Sequence, residues 1–138
     1  MTKYVLSIDG GGVRGLASAT FLSELDKAAP KKLSESFDLI VGTSTGGIIA
    51  LAISILDLQK DDLVKIYSKE NIKKIFSPFR YRILGSKYAG KVKRKVFKDY
   101  FKAETLGAAK TPTMITAFDL EKRRVKMFKS WTEGYLPA

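Results

Sequence analysis

The chain has 138 residues, 45% of them hydrophobic, which suits one domain with a real core and excludes intrinsic disorder. It contains no cysteine and no histidine, so disulfides, thiolate or histidine metal sites and a Ser-His-Asp triad are excluded within it. The formal net charge of +11 is uneven, with 6 basic and 8 acidic side chains in residues 1–62 against 19 and 6 in residues 63–138.

In chain order, Tyr4 to Ile8 is a short apolar run stopped by Asp9 and three glycines, which predicts a buried strand. Val13 to about Ala29 carries Leu16, Phe21, Leu22 and Leu25 at helical spacing and ends at Pro30. Phe37 to Val41 is a second strand closed by Gly42, and an almost uncharged helix follows from about Gly46 to Leu56. This strand–helix–strand–helix order, with a glycine turn after each strand, is the pattern of a parallel α/β sheet. Asp61 or Asp62 is placed to cap a further helix with Leu63, Ile66, Tyr67 and Ile75 on its apolar face. Ser77 to Gly90 reads as a loop, Lys91 to Lys102 as a helix, and Thr113–Phe118 and Arg124–Ser130 as two more strands. No apolar stretch has secretory-signal form or membrane-spanning length, and the chain reads as soluble and, without cysteine, at home in a reducing cytoplasm.

Two glycine segments carry chemistry. Gly42-Thr43-Ser44-Thr45-Gly46 matches G-x-S-x-G at a predicted strand-to-helix junction, where a serine sits on a tight turn with its hydroxyl exposed above the sheet edge. The N-terminus of the following helix favours negative charge developing beside it. Thr43 and Thr45 read as turn residues. Asp9-Gly10-Gly11-Gly12-Val13-Arg14-Gly15 opens another helix, and its backbone N–H groups can approach an oxyanion, a phosphate or a pyrophosphate. Taken literally, Gly10-x-Gly12-x-x-Gly15 is also a dinucleotide fingerprint, but that reading needs an acid at the end of the second strand. That strand ends in Val41-Gly42, and its acid, Asp38, lies near its beginning. Neither segment has the Gly-Lys-Ser/Thr ending of a P-loop.

These two segments, about thirty residues apart and in this order, resemble the N-terminal signature of patatin-like phospholipases. The resemblance covers residues 1–56 with specific motifs and weakens beyond 60, where Thr116 to Leu120 is similar to a strand of the same domain. It implies a three-layer α/β sandwich with a mostly parallel central sheet, and hydrolysis of a phospholipid or related lipid ester through an acyl-serine, with no metal or organic cofactor. It implies Ser44 as nucleophile, Gly11 and Gly12 as oxyanion-hole donors, Gly10, Arg14 and Gly15 as parts of that loop, and Gly42 and Gly46 as the flanks of the elbow. Arg14 suits either a substrate phosphate or a structural ion pair. The family uses a Ser-Asp dyad, which accords with the lack of histidine.

The family's dyad aspartate lies in a downstream Asp-Gly-Gly or Asp-Gly-Ala motif. The chain's Asp-Gly is Asp9-Gly10, in the oxyanion loop, while Asp57, Asp61, Asp62 and Asp119 are not followed by glycine. The expectation is therefore a fragment that stops before its general base and lacks the C-terminal part of its own domain, with little activity alone. A catalytically silent lipid-binding or regulatory domain is the alternative, and a dinucleotide- or phosphate-binding module a further one. In the basic half, Lys91, Lys95, Lys98 and Lys102 recur opposite Val92, Val96, Phe97 and Tyr100. That pattern fits a surface helix packed on the core, or one making peripheral contact with an anionic membrane. Phe76 to Leu84, mixing aromatics with arginine, is the better interfacial candidate. No nucleic-acid-binding motif accompanies the charge, so no specific nucleic-acid partner is expected.

Overall fold

A computed structural model describes residues 2–75, 94, 95, 97–102 and 104–132. The readings of Phe76 to Leu84, of the loop 77–90, and of Lys91, Val92 and Val96 lie outside the described residues.

The first strand, β1 (Val5–Ile8), runs through the loop at Asp9–Gly11 and a 3-10 turn (Gly12–Arg14) into α1 (Gly15–Ala28). After a short helix α2 (Leu33–Ser36), β2 (Leu39–Thr43) leads into α3 (Thr45–Ser54). Then come α4 (Asp61–Lys65), α5 (Lys69–Ile75), helical residues at 94–95 and 97–101, and the hairpin β3 (Thr113–Asp119) and β4 (Arg124–Lys129). The four strands form one sheet in the order β1-β2-β3-β4, parallel through β3 and antiparallel at β4. This is the mostly parallel α/β sheet flanked by helices that the sequence predicts.

Two elements differ locally from expectation. β2 begins at Leu39 because Asp38 is used just before it: its backbone N–H donates to Tyr4 O at 2.8 Å, and its carboxylate accepts from Tyr4 N and Lys3 Nζ. The helix expected after Asp61 is two pieces. Ser68 interrupts it, its Oγ accepting the N–H of Asn71 at 3.3 Å in the manner of a cap.

Register assigns the faces of the sheet. Val5 pairs with Leu39, Val41 with Met114, and Phe118 with Val125, so these side chains share one face, while Leu6, Ile8, Ile40 and Ile115 share the other. The second face belongs to the core, where Ile8 and Ile40 meet Ile49, Ile53, Leu22, Leu33 and Leu63. Right-handed crossovers that step in one direction across adjacent strands put their helices on one side. Accordingly, the opposite face leaves Val5, Phe118 and Val125 more than half exposed among the described residues. Parallel sheets are ordinarily covered on both faces.

Asp57 fastens the lower end of this layer. Its carboxylate accepts from Ser34 Oγ at 2.7 Å, Lys32 Nζ at 2.8 Å and Lys110 Nζ at 2.9 Å, joining α2, the segment after α3 and the approach to β3. Burial works against its charge, but Lys32, Ser34 and Lys110 overcome that and hold the carboxyl well below its usual range. Because the folded-state pKa is depressed, the stabilisation is fully present above the unfolded-state value of about 4 and is lost as pH falls below it. Asp57→Asn is expected to cost about 1–3 kcal/mol at pH 7. In urea titrations its deficit against the parent protein should shrink at pH 3, and a deficit unchanged with pH would contradict the assignment.

Candidate functional site

Ser44 stands between β2 and α3 with φ 51° and ψ −123°, a left-handed region that a residue with a side chain enters at a cost of about 1–3 kcal/mol. The surrounding packing fixes it there. A Cβ at Gly42 would lie 2.5 Å from Gly46 O, and one at Gly46 would collide with the backbone of Ile8 and Asp9. The strand can thus turn into the helix against β1 only without those side chains. The Ser44 carbonyl accepts the N–H groups of Gly47 and Ile48, committing the residue to the first turn of α3 while its side chain stays exposed. The first N–H groups of such a helix have no intrahelical partner and carry positive potential toward the same edge.

The Asp9–Gly15 loop comes to this point. A Cβ at Gly10 would lie 2.7 Å from Ser44 Cβ and 3.5 Å from Ser44 Oγ, so the loop backbone touches the serine. Gly12 has φ +58° and turns the loop into the 3-10 segment, closed by Arg14 N–H donating to Gly11 O at 3.1 Å. The Gly11 N–H donates to Thr45 Oγ1 at 3.1 Å, which orients the loop against the start of α3. Arg14 is exposed and makes no ion pair among the described residues, so the structural-bridge reading finds no partner there.

Sequence reasoning missed the packing behind this loop. Thr45 is 3% exposed and holds Gly11 from below, and the hydroxyl of Tyr67 is buried against Thr45 and Gly15 without a well-formed hydrogen bond. Gly15 is required here, because a Cβ would meet that hydroxyl. Burial pushes the Tyr67 phenol up from its ordinary pKa, against a smaller opposing effect of Thr45. Since the oxygen is desolvated without full recompense, Tyr67→Phe is expected to leave stability within about 0.5 kcal/mol or raise it. A urea midpoint clearly lower than that of the parent would show that the hydroxyl has a partner.

Beside Ser44 opens a cavity of about 540 Å³, bordered by Gly47, Ile48 and Leu51 of α3, Ile115 of β3, and Arg94, Phe97, Lys98, Phe101 and Lys102. This volume is in the range of small-molecule sites. Phe97, Tyr100 and Phe101 also pack toward Ile48, Ala52 and Leu56. Lys98 and Lys102 therefore share the cavity side with Phe97 and Phe101, and the clean segregation of lysines from aromatics expected for this helix is not what the structure shows.

The described aspartates are mostly committed elsewhere. Asp26 accepts from Leu33 and Lys60 N–H, Asp61 pairs with Lys27, Asp62 with Lys65, and Asp119 accepts from Glu121 and Lys122 N–H in the hairpin turn. Among the described residues no carboxylate is hydrogen-bonded to Ser44 Oγ. None of their acidic groups cluster as a metal site, and no described helix is long and apolar enough to cross a membrane.

Comparison with known proteins places this arrangement. The family model for patatin-like phospholipase matches residues 6–134. Patatin-17 of Solanum cardiophyllum is 35% identical over 137 residues, covering 90% of this chain and 35% of its own length. A cGAMP-activated phospholipase of Pseudomonas aeruginosa is 30% identical over 135 residues, covering 94% of this chain and 40% of its own. Probable inactive patatin-3-Kuras 1 of Solanum tuberosum is 30% identical over 137 residues, covering 90% and 36%. The chain spans between a third and two fifths of the length of these relatives. With a strained serine between strand and helix, a triple-glycine loop against it and a family match over nearly its whole length, the chain belongs to the patatin-like phospholipase family.

Proposed function

We propose that this chain carries the nucleophile and oxyanion loop of a lipid acyl hydrolase of phospholipase or lysophospholipase type. The observation that carries the proposal is the strained backbone of Ser44 held beside the Gly10–Gly12 loop at the edge of a cavity. Ser44 Oγ attacks the ester carbonyl as its proton passes to a general base, and the carbonyl electron pair moves onto oxygen. Collapse of that oxyanion expels the alcohol, which takes a proton, and water then hydrolyses the acyl-serine by the same two steps. Gly11 and Gly12 N–H groups stabilise the oxyanion, each at about 3–4 kcal/mol. The Gly11 N–H, resting on Thr45 Oγ1, exchanges that partner for the substrate oxygen. Gly10 lets the loop reach the serine, Gly15 seats the helix behind it, and Arg14 shapes the same loop. No metal or organic cofactor enters these steps.

The general base lies outside this chain, in a further part of the same domain. Two observations support this: the relatives are far longer than the chain, and the sheet face left open among the described residues exposes Val5, Phe118 and Val125 for something to pack on. The purified 138-residue chain should hydrolyse p-nitrophenyl butyrate at a rate near background, while the full-length protein turns it over in a Ser44-dependent manner. Robust Ser44-dependent turnover by the short chain would place the base within it. An inactive full-length protein would favour the catalytically silent reading, for which the relative named probable inactive patatin is the precedent.

A further inference from the structure

The wall of the cavity opposite α3 has an unusual composition. Residues 94, 97, 98 and 101 follow the i, i+3, i+4, i+7 spacing of one helix face, the face that normally carries apolar residues into a core, and Lys102 stands in the turn that follows. Here Phe97 and Phe101 alternate with Arg94, Lys98 and Lys102, and all five border the cavity. Among the described residues, the cavity lining contains no acidic side chain and none of the three cations has an acidic partner. Several lysines elsewhere are paired: Lys27 with Asp61, Lys32 and Lys110 with Asp57, and Lys65 with Asp62. The three cations recur at four-residue steps along one side of the space. The other side, formed by Ile48, Leu51 and Ile115, is apolar and leads to Ser44.

We propose that Arg94, Lys98 and Lys102 form a cationic rail that selects lipid esters with a net negative headgroup over zwitterionic ones. The proposal rests on the acyl-hydrolase reading of Ser44. With the acyl chain against Phe97, Phe101, Leu51 and Ile115, the ester lies at Ser44 and the headgroup phosphate lies along the rail. One cation pairs with the phosphate. Its neighbours, four residues away on either side, repel a trimethylammonium group attached to that phosphate but not an uncharged glycerol.

The test uses the full-length protein in neutral detergent micelles containing phosphatidylglycerol or phosphatidylcholine with identical acyl chains. Phosphatidylglycerol turnover should exceed phosphatidylcholine turnover about tenfold, the scale of a few partly exposed charge contacts. Lys98→Gln/Lys102→Gln should bring the ratio close to one. Lys31→Glu, which changes the net charge by the same two units on the exposed turn after α1, should leave the ratio as it was. For the unmodified protein, raising salt from about 0.1 M to about 1 M shortens the screening length from about 10 Å to about 3 Å and should collapse the ratio too. That measurement decides the matter if the double variant fails to fold. A ratio near one in the unmodified protein, or one that Lys31→Glu lowers as much as the rail variant does, would overturn the rail alone. Failure of the parent protein to take a fluorophosphonate at Ser44 would overturn the hydrolase reading and the rail with it.

Discussion

Replacing Ser44 with alanine in the full-length protein is expected to lower kcat on a lipid ester by about 10⁴- to 10⁶-fold, the range seen when an acyl-transfer nucleophile is removed. The proposed chemistry has no substitute for it. A water attacking from solvent would lack the fixed approach that the turn between β2 and α3 gives Ser44 Oγ, and the oxyanion donors alone account for only the residual rate. KM should change little, because the serine contributes almost nothing to ground-state binding of an acyl chain lying along Phe97 and Leu51. The folded protein should be at least as stable as the parent, since φ 51° at this position stores strain that no substitution to alanine increases. A kcat loss below tenfold would mean that another residue forms the covalent bond or that none does.

Gly46→Ala is expected to have the largest effect on stability. Its Cβ would overlap the carbonyl of Ile8 and come within 2.7 Å of Asp9 O, all of it backbone. That backbone cannot retreat, because Ile8 is in parallel register with Gly42 at the start of the same turn. Relief requires α3 to move off β1, which separates Ser44 from the Gly10–Gly12 loop. A loss of about 3 kcal/mol follows, corresponding to a fall of about 10 °C in Tm, with activity lost even in the fraction that folds. Gly11→Ala supplies the contrast. Its nearest neighbour would be Arg14 Cβ at 3.5 Å, an ordinary contact. It should therefore change stability by less than about 0.5 kcal/mol. Equal Tm values for the two variants would refute the tight junction described here.

The sequence made the layout of the sheet readable because each apolar run ends in a glycine cluster: Tyr4–Ile8 before Gly10, and Phe37–Val41 before Gly42. A strand followed by glycine and then a helix-period run has few folded solutions, and the two motifs necessarily meet when β1 and β2 pair side by side. The break between α4 and α5 was hidden because Leu63, Ile66, Tyr67 and Ile75 keep a plausible helical spacing across Ser68. A local hydrogen bond to Ser68 Oγ, not periodicity, marks where the second piece begins.

Of the candidate site, the position of Ser44 and its contact with Gly10 followed from adjacent strands. The engagement of Gly11 N–H by Thr45 did not, because a hydroxyl at a helix start serves many turns. Tyr67 behind the loop was beyond sequence reach, since it arrives from the turn after α4 by tertiary packing. The cavity wall was half legible. Arg94, Phe97, Lys98, Phe101 and Lys102 share one helical face in the sequence, yet only the contact with α3 shows that the cations on that face line a cavity beside the serine.

The central claim is that Ser44 is the group that becomes acylated. Treating the active full-length protein with a fluorophosphonate and mapping the modified peptide by mass spectrometry tests it directly. A single stoichiometric adduct on Ser44 is expected, with inactivation in proportion to labelling. An adduct on any other residue, or an active protein that loses no activity while Ser44 stays unmodified, would contradict it.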